Sequence, residues 1–247
     1  MSERQPGAEG FLGIAGQTSN ANVDLVAEFR GKNAHAAANP WDGINALDAV
    51  VAAYNNTSML RQQMMTDDRI HSCILKAPSI TNAIPEYTKI KYSVRSPSLA
   101  RLEALEARVR ACINAAGMTT GCEVSITADS PYAELRLNSP LCVAFAAEME
   151  IRGVKVLATS QTMMQGSTDM GNVSHAMPGL HAMVGIPGPS SAFPHSQNFT
   201  IVPGTRDAHL RILEAAKSLA MTAWLALMDD GFYAEVRRDF AKQSMRW

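Results

Sequence analysis

The chain has 247 residues, enough for one large domain or two smaller ones with a substantial core. Hydrophobic residues make up 47% and charged residues 18%, the ordinary balance of a globular protein. A formal net charge of −1, with Lys and Arg scattered, argues against nucleic acid or an anionic membrane surface as a partner.

Residues 1–22 read as a flexible lead-in, rich in Gly, Ser, Asn and Gln, and Met1–Gly10 holds no apolar signal region. Val23–Lys32 then alternates as a strand does. Gly43–Met64 carries Ile44, Leu47, Val50, Val51 and Tyr54 at helical spacing. Two strand-like runs follow, Arg69–Lys76 and Tyr87–Arg95, separated by a turn with Pro78, Asn82 and Pro85. Pro97 opens a second helix with Leu102, Leu105, Val109 and Ile113 on one face, ending near Gly117 or Gly121. Cys122–Ala128 supplies a fourth strand. The order β-α-β-β-α-β predicts a ferredoxin-like two-layer domain over residues 23–135.

Beyond Pro140 the texture changes. Leu141–Ile151 is helical, residues 165–179 and 185–194 are rich in Gly, Ser and Pro, and His181–Ile186 is the one strand expected between them. A long helix spans about Thr205–Met228, with Ile212, Ala216, Leu219, Ala223 and Ala226 on one stripe, and a charged helix runs to Trp247. So few elements predict, for residues 136–247, the C-terminal fraction of a larger α/β domain, loosely packed and with an apolar face uncovered. The longest apolar run, Leu219–Met228, is too short to span a bilayer. Four unpaired, widely spaced cysteines suit a reducing compartment and predict buried core thiols. The expected location is cytoplasmic.

One histidine, His35, sits in a turn of small residues between the first strand and helix, where reacting groups are often placed. Read singly, His35 is a turn histidine, Arg95 a surface charge, Asp169 a turn or cap residue and His195 a solvated loop residue. A His175/His181 metal pair lacks a third ligand at suitable spacing.

Four segments, in order, carry a stronger signal: Gly31–Leu47 around His35; Thr81-Asn82-Ala83-Ile84-Pro85 with Tyr92-Ser93-Val94-Arg95-Ser96-Pro97; Gly166–Ser174 around Asp169; and Pro194-His195-Ser196-Gln197-Asn198-Phe199-Thr200. Together they resemble the aminoacylase/carnosinase/glutamate carboxypeptidase family of metallopeptidases, most closely its β-alanyl-lysine dipeptidase-like branch. The resemblance implies a lid (dimerisation) domain over residues 23–135 and part of the catalytic domain over 136–247. It implies His195 as a ligand to a divalent metal, most readily zinc, with Asp169 as a supporting carboxylate. His35 would cross a dimer interface to polarise the scissile carbonyl, and Asn82 and Arg95 would hold the substrate.

The family's site also needs a His-x-Asp, a bridging Asp and a Glu-Glu pair ahead of the lid. Met1–Asn22 offers Glu3 and Glu9 but no His and no Asp. The resemblance therefore implies a metal-dependent amide or dipeptide hydrolase that is truncated and impaired as this chain stands, acting on a small peptide or N-acyl amino acid, with its metal not retained by this chain alone. The alternative is a catalytically inactive dimerisation module that pairs with itself or with a full-length relative. A ferredoxin-like regulatory domain would explain residues 23–135 but not the Asp169 and His195 segments.

Overall fold

A computed structural model describes residues 10–189, 191–192 and 194–244. In chain order, strand β1 (Gly13–Gly16) precedes β2 (Ala21–Arg30) and the short β3 (Ala34–His35). Helix α1 (Ala46–Met59), β4 (Arg69–Lys76), β5 (Ala83–Ile84), β6 (Tyr87–Ser96), α2 (Leu99–Thr120) and β7 (Glu123–Ala128) follow. The remainder holds α3 (Ser139–Ile151), β8 (Leu157–Thr159), α4 (Met170–Ala176), β9 (Met183–Val184), α5 (Gln197–Ile201), α6 (Arg206–Met228) and α7 (Asp230–Ser244). The chain forms two compact units: residues 20–134, and residues up to Ser19 together with 135 onward.

The first unit is an antiparallel sheet in the order β4-β6-β2-β7, the ferredoxin-like arrangement. Alternation places Ala21, Val23, Leu25, Ala27 and Phe29 of β2 on one face. Across the ladder, Val23 faces Val94, Leu25 faces Tyr92 and Ala27 faces Ile90. Helices α1 and α2 close over this face through Ala46, Ala49, Val50 and Ala53, and through Leu102, Leu105, Val109 and Ile113, all of them buried. The small alanines of α1 let it lie close to the sheet, and Asn45 caps it by accepting a hydrogen bond from the Leu47 amide at 2.9 Å. Gly121 ends α2 in the left-handed region at φ 76°.

The opposite face of the sheet is a ladder of charges. Lys91 pairs with Asp24 at 2.7 Å and Lys89 with Glu28 at 3.0 Å. Burial alone would raise the Asp24 carboxyl, but hydrogen bonds from Lys91, Ser93 and Asn22 outweigh it and hold it below the ordinary value.

In the second unit, β1 lies between β8 (parallel) and β9 (antiparallel). Ala15 of β1, Cys142, Phe145 and Met149 of α3, and Val154 and Val156 form its core. Burial pushes the Cys142 thiol up to about 12, as suits a core thiol.

Four expectations change. The lead-in over 1–22 does not hold from Gly13 on, because Gly13–Gly16 is a central strand and Ala15 is buried; residues 1–9 lie outside the described part. The second unit has three strands among the described residues rather than one, since β1 and β8 are only four and three residues long and carry no alternation to read. On α6 the stripe Ile212–Ala226 is not the packed one: Ile212 and Leu219 are exposed, while Ala208, Ser218 and Thr222 are buried. Small side chains allow close approach to a neighbouring helix, and Ser218 and Thr222 satisfy their hydroxyls on carbonyls one turn back. Finally, Cys73 on edge strand β4 is exposed, unlike Cys122 and Cys142. The expected end of the last helix at Trp247 falls outside the described residues.

Candidate functional site

His35 is held on a short ribbon. Lys32 and Ile44 exchange both backbone hydrogen bonds at 2.9 Å, closing the loop that contains it. Next to that closure, β3 pairs with β5, so that His35 lies opposite Ala83. The Asn33 amide donates to the Ile84 carbonyl at 3.0 Å, and the Ala36 amide donates to the Asn82 carbonyl at 3.1 Å. The ribbon thus brings His35 and Asn82 together from positions far apart in sequence. Ala34 turns inward and is buried, while His35 turns outward and is exposed.

The imidazole is oriented from below. Nδ1 of His35 accepts hydrogen bonds from the Ala37 amide at 3.2 Å and the Ala38 amide at 3.1 Å. A ring nitrogen that accepts carries no proton in the neutral imidazole, so the proton sits on Nε2. His35 therefore presents an outward N–H donor, the form needed to polarise a carbonyl oxygen.

Arg95 lies elsewhere. It stands on β6 opposite Asn22 of β2 and Arg69 of β4, near the far end of the strand. Tyr87, at the other end, pairs with Arg30 just before the His35 loop. Arg95 is eight residues on from Tyr87, roughly 27 Å along the strand. One lid unit therefore joins His35 to Asn82 but does not bring Arg95 to them.

In the second unit, Asp169 is exposed at the start of α4 and makes no capping hydrogen bond. Its carboxylate accepts only a long 3.4 Å contact from the Thr168 hydroxyl. His195 is exposed in the turn before α5, at φ 70°, the one non-glycine residue with positive φ among those described. Such a backbone conformation is uncommon outside glycine and concentrates at functional turns. Pro194, its neighbour, lines an open apolar cleft of about 1110 Å³ together with Met164, Met183, Phe199 and Val202.

A divalent metal needs about three protein donors. Among the described residues no three of His, Cys, Asp and Glu come together in that way. His195 and Asp169 do not fit a complete metal centre by themselves.

Two neighbours of His35 stand in the first motif without a role read from sequence. Asn33 ties β3 to β5, and Trp41 stands 79% exposed on the turn that follows. Spacing alone does not reveal the Asn33 contact, because its partner is 51 residues away; a Trp flanked by Pro40 and Asp42 in a polar loop was a readable signal.

The two units so described are a ferredoxin-like domain and an α/β unit built around β1. Residues 16–120 match the family model described as Peptidase dimerisation domain. The chain is 37% identical over 223 residues to the "Xaa-Arg dipeptidase" of Mus musculus, covering 89% of this chain and 51% of that protein. It is also similar in fold to an amidase of the hydantoinase/carbamoylase family from Burkholderia vietnamiensis, with TM-score 0.63, 17% identity, and coverage of 86% of this chain and 50% of that one. Aminopeptidase PepT from Bacillus cereus gives TM-score 0.58 at 16% identity, over 94% of this chain and 55% of that one. These matches relate the chain to the aminoacylase/carnosinase/glutamate carboxypeptidase family of metallopeptidases. It spans about half the length of the curated relatives it matches. No described helix is long and apolar enough to cross a membrane.

Proposed function

We propose that this chain serves a metal-dependent hydrolase of dipeptide or N-acyl amide bonds as its pairing module and its source of substrate-orienting groups. The similarity to an Xaa-Arg dipeptidase favours a dipeptide with a basic C-terminal residue. The observation that carries this reading is the double amide hold on His35 Nδ1. It leaves Nε2–H as a fixed donor for the scissile carbonyl, and that hydrogen bond strengthens as negative charge grows on the oxygen. Asn82 would donate its amide to the same region, and the fork of Arg95 would take the substrate carboxylate.

Arg95 stands at the end of β6 away from Tyr87 and the His35 loop, roughly 27 Å along the strand from Tyr87, so one lid is read as not offering all three groups to one short substrate. A two-fold pairing of lids removes that difficulty, since His35 and Asn82 of one copy then serve the site that Arg95 of the other lines. Among the described residues no three of His, Cys, Asp and Glu gather to hold a metal that would activate water, so this chain is read as orienting the substrate. Its partner is a second copy or a full-length relative. The metal, zinc by the imidazole and carboxylate chemistry, belongs to the complete site. Dialysed against zinc, the chain alone is expected to keep less than about one equivalent.

Complementation tests the reading. The chain is mixed with a full-length relative whose own histidine, matching His35, is replaced by Ala. Dipeptidase activity is expected to return, and the His35→Ala chain is expected to restore about 10²–10³-fold less. Equal rescue by both chains, or no mixed dimer on size-exclusion chromatography, would sink the reading.

A further inference from the structure

We infer that Trp41 and Asp42 form a recognition platform for the cationic side chain of a bound dipeptide, beside His35. The inference rests on the hydrolase reading above and adds to it the residues that choose the side chain. Trp41 is 79% exposed, so its indole contributes nothing to the lid core. Its backbone is nevertheless well held. The Asn39 amide donates to the His35 carbonyl at 3.2 Å, the Asp42 amide to the Asn39 carbonyl at 3.1 Å, and the Gly43 amide to the Pro40 carbonyl at 3.1 Å. Pro40 opens this short turn and further restricts it. The position of Trp41 relative to His35 is therefore set by consecutive hydrogen bonds.

Asp42 is positioned by the same turn. The Asn39 side-chain amide donates to Asp42 Oδ2 at 2.9 Å, which orients the exposed carboxylate. Trp41 and Asp42 are consecutive and both exposed on one turn, and so offer the two features that a guanidinium or ammonium group seeks: a ring face for the cation and a carboxylate oxygen for its N–H groups. The lid already shows this chemistry once, with the Arg30 guanidinium 5.0 Å from the Tyr87 ring centre. Among the described residues no internal cation occupies Trp41. Its face is open to a cation from outside.

The test uses the full chain with Trp224→Phe and Trp247→Phe, so that Trp41 is the sole indole, and two probes, glycyl-arginine and glycyl-citrulline. Citrulline keeps the length and planarity of arginine, but a carbonyl oxygen replaces one nitrogen, so it lacks the charge and two of the five N–H donors. Trp41 fluorescence reports the platform, and the isotope-labelled ring of His35, assigned through His35→Gln, reports binding of the amide. Expected are saturable changes in both signals, with glycyl-arginine binding about two- to fivefold tighter than glycyl-citrulline. Trp41→Leu, read through the His35 ring, is expected to erase that preference, and Trp41→Phe to keep part of it. A His35 ring that responds equally to both probes, with Trp41 silent, overturns the platform and leaves the hydrolase reading standing. Trp41 fluorescence that follows protein concentration and ignores both probes shows the indole covered by a second copy, which also overturns it. If neither signal moves up to the solubility limit of the peptides, the platform is overturned, while rescue in the complementation assay decides the hydrolase reading separately.

Discussion

Arg101, near the start of α2, anchors a network of charged hydrogen bonds in the lid. Its guanidinium meets both carboxylate oxygens of Asp67, at 2.7 and 3.1 Å, and one oxygen of Asp68 at 2.8 Å. The buried Ser96 hydroxyl also donates to Asp68. The hydrogen bonds from Arg101 hold the Asp67 carboxyl below its usual value of 3.8. A carboxyl depressed in the folded state contributes stability above its unfolded value, and this is lost as pH falls through the lower folded value. Arg101→Met is therefore expected to cost about 1–2 kcal/mol at neutral pH, mostly through the orphaned bonds to Asp68. The Asp67 share of that cost should fade as pH drops below about 3.8. Urea unfolding of both proteins at several pH values measures it; a gap that stays constant into acid contradicts the assignment. At this scale much was readable. His35, Asn82 and Arg95 all stand out in sequence, yet the tautomer of His35 did not, because the two amides that set it belong to residues whose turn only the fold shows.

At the scale of elements, the site depends on how closely two loops approach. A Cβ built on Gly31 would lie 2.1 Å from the Ile44 carbonyl oxygen, inside the Lys32–Ile44 hydrogen-bonded pair. Gly31→Ala is expected to open that closure, destabilising the lid by about 1–3 kcal/mol and loosening the His35 ribbon. Hydrogen exchange checks this directly: the amides of Lys32, Ile44 and Ala36 should lose protection more than the β2–β6 ladder does. Uniform loss across the sheet would mean that the glycine matters to global stability only. The long elements were legible, since β2, β6 and α2 repeat their apolar residues at the period of their own geometry. The short β1 and β8 were not, because three or four residues hold too little pattern to separate a strand from a loop, whereas β9 falls inside the expected strand His181–Ile186. For α6, hydrophobicity pointed to the wrong face. Helix contact there is made by Ala, Ser and Thr, and the large apolar residues Trp224 and Leu227 remain exposed.

At the scale of the whole molecule, the two units differ in how well each encloses its own core. The lid buries a continuous cluster from both strands and helices, whereas the described core of the second unit centres on six buried residues. Residues 20–134 are therefore expected to unfold cooperatively as an isolated fragment and to self-associate, in keeping with the dimerisation-domain match. Residues 135–244 without the first nineteen should lose β1, the central strand of their sheet, and bind hydrophobic dye. Calorimetry and sedimentation of the two fragments check this. A lid fragment that melts without a transition, or stays monomeric at every concentration, contradicts it.

Local periodicity and capping residues were enough to determine the lid's element order and its buried faces, because each of those signals is written in neighbouring residues. Motif resemblance added the family and the residues worth watching. What only the tertiary structure decided was proximity: His35 joins Asn82 through a ribbon closed across 48 residues, Arg95 stands at the opposite end of a strand, and β1 pairs with strands more than 140 residues away. Such pairings depend on hydrogen bonds and close packing between distant segments, and no local pattern of side chains encodes which distant segment will arrive.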